Sequence, residues 1–122
     1  MKIKKINEDF TICKLEEYSE INLGLPWVFV ASTDKELSLV CPTYMTPKET
    51  LAREDGWKMF KVDGQFDFSL IGILAEISKI LADKKISILT QSTYDTDYIM
   101  VKADKFDEAL IALADNGYKV IN

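Results

Sequence analysis

Between residues 57 and 121, six segments follow one another with hydrophobic periods that alternate between those of a strand and a helix, and that order admits few folds. Residues 57–62 (WKMFKV) read as a strand after the Asp55-Gly56 turn signal, and Asp63-Gly64 ends it. Residues 69–83 place Leu70, Ile73, Leu74, Ile77 and Leu81 at the i, i+3, i+4, i+7 spacing of a helix with one buried face. Asp67 or Ser69 is its expected cap. Residues 86–91 (ISILTQ) and 97–102 (DYIMVK) read as strands. Asp104 is expected to cap a second helix with Phe106, Ala109, Leu110, Leu113 and Ala114 on its apolar face. Asn116-Gly117 supplies a left-handed stop, and 118–121 closes the chain as a strand. The order β-α-β-β-α-β is the split pattern of a ferredoxin-like α+β fold, a mostly antiparallel sheet with both helices on one face.

The first half reads as a shortened version of the second. Residues 10–15 form a strand, 16–26 a loop around Asn22, Gly24 and Pro26, and 27–31 with 36–41 a hairpin. Thr46-Pro47-Lys48-Glu49 carries a helix start, with Thr46 as cap, Pro47 at the first position and Glu49 closing a capping box, so a short helix ending before Gly56 is expected. An internal repeat supports the pairing: residues 28–40 and 88–101 both run strand, Ser-Thr turn, acid, strand, with one residue inserted in the second. The expected organisation is a shortened unit over 1–60 and a complete one over 61–122. Strand 57–62 either closes the first or opens the second.

Composition excludes several classes. A chain of 122 residues that is 48% hydrophobic can form a core. Its 15 basic and 20 acidic residues, net −5, argue against nucleic acid and against anionic membranes, which both need a basic surface. No run nears the ~18 apolar residues of a membrane span, and the basic start Met1-Lys2-Ile3-Lys4-Lys5 lacks a signal peptide's apolar stretch, so a cytoplasmic location is expected. With no histidine, the commonest general base and most zinc sites are gone. Cys13 and Cys41 lie in apolar strand-like runs without CxxC spacing, so they read as small buried hydrophobes. No nucleophile–base pair, metal set or phosphate-binding glycine loop is visible, so no catalytic residues, metal or cofactor are expected.

Residues 64–75 (GQFDFSLIGILA), followed by Leu81-Ala82, Ile86-Ser87-Ile88 and the run Ser92-Thr93-Tyr94-Asp95-Thr96-Asp97-Tyr98-Ile99, resemble the ACT domain family, and more narrowly the small tandem-ACT proteins related to CASTOR-type arginine sensors. The run 32–41 resembles the N-terminal unit of those proteins. The resemblance implies a regulatory, non-enzymatic protein that binds an amino acid at the seam between ACT units. It implies ligand contacts from the opening of the first helix (Leu70, Gly72, Ile73), the next strand (Ser87, Ile88) and the hairpin (Thr93, Tyr94, Asp97). One such set per chain implies a homodimer. The alternative is an interaction module of the same fold whose seam holds only protein.

The chemistry of these positions fits an amino-acid zwitterion. A helix N-terminus carries about half a positive charge on free N–H groups and suits a carboxylate. Gly72 either lets a ligand approach the backbone or allows close helix–strand packing. Asp97 either pairs with the ligand's ammonium group or accepts backbone N–H bonds in its turn. Ser87 either offers strand-edge backbone groups or simply faces outward between Ile86 and Ile88, while Thr93 and Tyr94 cover a pocket or are ordinary hairpin residues. Leu70 stands where the arginine sensors use an acid, so a small or apolar amino acid is expected in preference to arginine, unless Glu36 or Asp95 supplies the missing charge.

Overall fold

The computed structural model describes residues 1–63 and 70–122, with the backbone alone at Leu70 and Ile71. The expected cap at Asp67 or Ser69 therefore lies outside the described residues. The elements are β1 (Lys2–Leu15), β2 (Phe29–Ser32), β3 (Leu37–Pro42), a 3-10 turn (Thr43–Met45), β4 (Ala52–Asp63), α1 (Leu70–Asp83), β5 (Ile88–Ser92), β6 (Asp97–Lys102), α2 (Ala103–Asp115) and β7 (Lys119–Ile121). Among the described residues, seven strands hydrogen-bond in the order β2-β3-β1-β4-β6-β5, with β7 on β1. The fold is α+β with a mostly antiparallel sheet, as the segment order requires.

Contacts divide the chain into two units, Glu8–Trp57 and the combination of Met1–Asn7 with Lys58–Asn122. The boundary sits at 57/58 rather than 60/61. The first seven residues join the C-terminal unit because Lys2, Ile3 and Lys4 pair in parallel with Lys119, Val120 and Ile121. An added strand thus takes the place beside β7 that the first strand of a simple ferredoxin-like unit would hold.

In the C-terminal unit, α1 packs on α2, and α2 on β6 and β7. Ile77 and Leu81 of α1 are fully buried, with Ile73, Leu74 and Ile80 packed against the same core. From α2 come Phe106, Ala109, Leu110, Ala112 and Leu113; Ala112, not Ala114, completes the buried stripe. Burying each of the leucine, isoleucine and phenylalanine side chains among them contributes ~1.5–3 kcal/mol. The expected Asp104 cap is absent: the N-cap is Lys102 with no side-chain hydrogen bond, and Asp104 sits in the first turn. There its charge still favours the helix N-terminus.

Both helices stop the same way. Tyr118 N–H bonds Leu113 O at 3.1 Å and Gly117 N–H bonds Ala114 O at 3.1 Å, with Gly117 at φ 93°. Ile86 N–H bonds Leu81 O and Lys85 N–H bonds Ala82 O, both at 2.9 Å, with Lys85 at φ 60°. Each is a Schellman ending, one with the usual glycine and one with lysine in the left-handed position.

The N-terminal unit has a small core of Cys13, Leu15, Leu39 and Cys41, with Ile21, Val28, Leu37 and Met45 against it. Burial first, then Cys41, pushes the Cys13 thiol up to about 11, and burial also raises Cys41, so both stay protonated and unreactive at neutral pH. The helix expected from Thr46 does not form. Leu51 N–H already bonds Lys14 O at 2.7 Å and β4 begins at Ala52, so sheet pairing claims the residues the helix would need. Gly56 is likewise not a turn before a strand but a position inside β4 at φ 86°, the mark of a bulge. Trp27 precedes β2 in the left-handed region rather than opening the strand.

The two hairpins are superimposable in register. Phe29, Val30, Ala31 and Ser32 face Val40, Leu39, Ser38 and Leu37; Leu89, Thr90, Gln91 and Ser92 face Met100, Ile99, Tyr98 and Asp97. Every pair is offset by the same sixty residues (29 to 89, 40 to 100), so the repeat needs no inserted residue. The position after each hairpin repeats as well: Pro42 caps the 3-10 turn at φ −53°, ψ 139°, and Lys102 caps α2 at φ −54°, ψ 140°.

Candidate functional site

The C-terminal unit has a hairpin tip tied to a strand end, and a groove between the start of α1 and the stop of α2. β4 runs out at Asp63, and the Thr96 hydroxyl of the β5–β6 turn donates to Val62 O at 2.9 Å, which anchors the hairpin tip beside that strand end. The tip is a Ser/Thr turn. Thr93 N–H bonds Thr96 O at 2.9 Å, and the Thr93 hydroxyl donates to Thr96 O at 3.0 Å while accepting Thr96 N–H at 3.3 Å. The β2–β3 turn repeats this with Thr33 and Glu36. Thr93 is therefore committed to holding the tip, and Tyr94 is carried on it with its whole side chain in solvent.

Asp97 is only 6% exposed and accepts the Ser92 hydroxyl at 2.5 Å across the last cross-strand pair. The equivalent pair in the first hairpin is Ser32 and Leu37, without an acid. Asp97 Oδ1 is thus engaged within the hairpin, by a side chain rather than by backbone N–H groups.

Gly72 and Ile73 line a groove of about 480 Å³ together with Glu76, Asn116, Gly117 and Tyr118. A Cβ placed on Gly72 would meet nothing within 4 Å among the described residues. Among the described residues nothing packs closely enough on Gly72 to require glycine, and Gly72 is exposed beside the groove. Tyr118 is buried and donates to Glu76 Oε1 at 2.6 Å. Burial and then this bond raise the tyrosine pKa. The bond holds one carboxylate oxygen against the wall of the groove. Asn116, the C-cap of α2, donates its side-chain N–H to Ala112 O at 2.8 Å.

Ser87 is exposed and Ile88 half-buried, at the far end of β5 from the hairpin tip. At ~3.3 Å per residue the five steps from Ile88 to Thr93 span roughly 16 Å, more than one small amino acid bridges. Gly72 and Ile73 thus share the groove with Glu76 and Tyr118, and its described lining includes none of Ser87, Ile88, Thr93, Tyr94 and Asp97. Leu70 opens α1. Glu76, Tyr118 and Asn116 were not among the expected residues. The one available signal was Glu76 itself, the first charged residue of α1 after six without charge.

Among the described residues no group of three or more His, Cys, Asp or Glu side chains could hold a metal ion. No helix among them is long and apolar enough to cross a membrane.

A family model described as ACT domain matches residues 52–115. No curated protein shows a significant match to the chain. Among solved structures, a protein from Agrobacterium tumefaciens is 29% identical, with 98% of this chain and 91% of that one aligned at a TM-score of 0.87. The regulatory subunit of aspartate kinase from Thermus thermophilus in its ligand-free form is 8% identical over 94% of this chain and 97% of that one, TM-score 0.65. An aspartate kinase from Clostridium acetobutylicum aligns over 93% of this chain but 33% of its own, at 15% identity and TM-score 0.67. At such identities the two kinase structures establish a shared fold.

Proposed function

Since the chain belongs to the ACT domain family, we propose that it is a regulatory, non-catalytic module that binds a small ligand of the amino-acid class at the end of its C-terminal unit. The observation that carries this is Gly72: a glycine in the second helical position after Leu70, with no described residue where a side chain would lie and a groove of about 480 Å³ beside it. A helix-interior glycine costs roughly 1 kcal/mol against alanine, and a backbone left accessible to a ligand's carboxylate gives that cost a use.

The finer reading is a tandem-ACT protein related to the CASTOR-type sensors, working in the cytoplasm as a homodimer that places the ligand at the seam between units. Support for the tandem arrangement comes from the sixty-residue offset of the hairpins and from the matched cap geometry after each. Support for the dimer is that Ser87 and Ile88 stand apart from the other expected contacts in one chain, so a second chain is needed for a complete set.

The competing reading is an ACT-fold interaction module without a ligand. What favours it is the hairpin: Asp97 is engaged with Ser92, and Tyr94 stands free at a fixed tip as an aromatic anchor would. Amide NMR on the labelled protein separates the two. On addition of the twenty amino acids, the ligand reading expects shifts at the Gly72 and Ile73 amides; unchanged spectra, with Tyr94 protected only in the oligomer, favour the interaction module.

A further inference from the structure

We infer that Glu76, positioned by Tyr118, is the group that receives the ligand's ammonium, in the place that sequence reasoning gave to Asp97. The inference rests on the amino-acid reading above and names the counter-charge within that site. Three observations carry it. Asp97 is only 6% exposed, with Oδ1 taken by Ser92, so burial rather than the bond withholds it from a ligand, while Glu76 is exposed. Glu76 lines the same groove as Gly72 and Ile73, one helical turn further along α1, so it shares a face with the helix start proposed to take the carboxylate. Its Oε1 accepts the buried Tyr118 hydroxyl at 2.6 Å, which removes much of the freedom of a surface glutamate and leaves Oε2 for a ligand.

The geometry has a chemical logic. A zwitterion presents its two charges a few atoms apart, and here the α1 backbone and the Glu76 carboxylate lie along one helix face. Glu76 is exposed and a ligand reaches it from solvent, whereas Asp97 is buried. Tyr118 is a positioning residue. It is fixed by the Schellman stop of α2, where its N–H bonds Leu113 O.

The test is calorimetric titration of the full chain with each of the twenty L-amino acids, and with the N-acetyl form of any that binds. The expected result is that Glu76→Gln weakens the bound amino acid at least tenfold, as loss of a charge-assisted hydrogen bond does. Asp97→Asn is expected to retain affinity, and the N-acetyl form not to bind wild type. Tyr118→Phe, which leaves the carboxylate in place but unheld, should weaken binding less than Glu76→Gln does. Glu76 is exposed, so Glu76→Gln is expected to fold, which its melting curve checks. Equal binding by Glu76→Gln, or loss only in a folded Asp97→Asn, overturns the assignment while the amino-acid reading stands. Binding of no amino acid to wild type overturns both.

Discussion

Tyr118 and Glu76 are forty-two residues apart in sequence and meet at 2.6 Å, the phenol donating and the carboxylate accepting. Tyr118→Phe removes the donor while Glu76 turns to water, so the expected loss is ~0.5–1.5 kcal/mol by urea denaturation at neutral pH. The pH dependence has a definite sign. The tyrosine pKa is raised in the folded state, by burial first and Glu76 second, so its contribution is complete below the ordinary value of 10 and lost as pH rises through the folded value. Wild type should therefore lose stability relative to Tyr118→Phe as the pH climbs past 10.

Lys85 holds the left-handed position of a Schellman ending at φ 60°, where Gly117 sits at φ 93° in the other helix. A side chain there costs about 1–2 kcal/mol, offset in part by the greater unfolded-state freedom of glycine. Lys85→Gly should raise stability by ~0.5–1 kcal/mol, read as an increased denaturant midpoint at an unchanged slope.

Gly72 separates stability from binding. With no described residue where its Cβ would lie, Gly72→Ala should stabilise α1 by up to ~1 kcal/mol, while the added methyl beside the groove weakens ligand binding. A variant that melts higher and binds less tightly, measured on one preparation, is the expected result.

In the N-terminal unit, the fully buried Thr11 hydroxyl donates to Asp55 Oδ1 at 2.7 Å and accepts from Thr43 at 2.9 Å, and Arg53 Nε bonds the same Asp55 oxygen at 2.8 Å. Arg53 first and Thr11 second hold the Asp55 carboxyl below its ordinary 3.8. Its contribution is thus present above 3.8 and lost as pH falls through the folded value. Asp55→Asn should flatten the acid limb of the stability profile, with melting at stepped pH as the check.

The periodic elements were legible because their signals are local. Strand 97–102 lies where alternation and β-branching put it, and the α2 stop was announced by Asn116-Gly117. The α1 stop was hidden, since lysine is no left-handed signal. Thr46-Pro47-Lys48-Glu49 misled because a capping box states only local preference, and the Leu51–Lys14 backbone bond overrides it. The candidate site divides along the same line. Gly72 and Ile73 stood out through their run and its resemblance, whereas Glu76 becomes meaningful only beside Tyr118, a contact that no local pattern encodes.

The most direct measurement is a thermal-shift screen of the full-length chain against the twenty L-amino acids. A ligand at 100 times its dissociation constant adds ~2.7 kcal/mol, which is several degrees for a chain of this size. The account predicts that at least one amino acid raises the melting temperature and that Gly72→Ala diminishes the rise. Twenty flat curves from a cooperatively folding protein would contradict it.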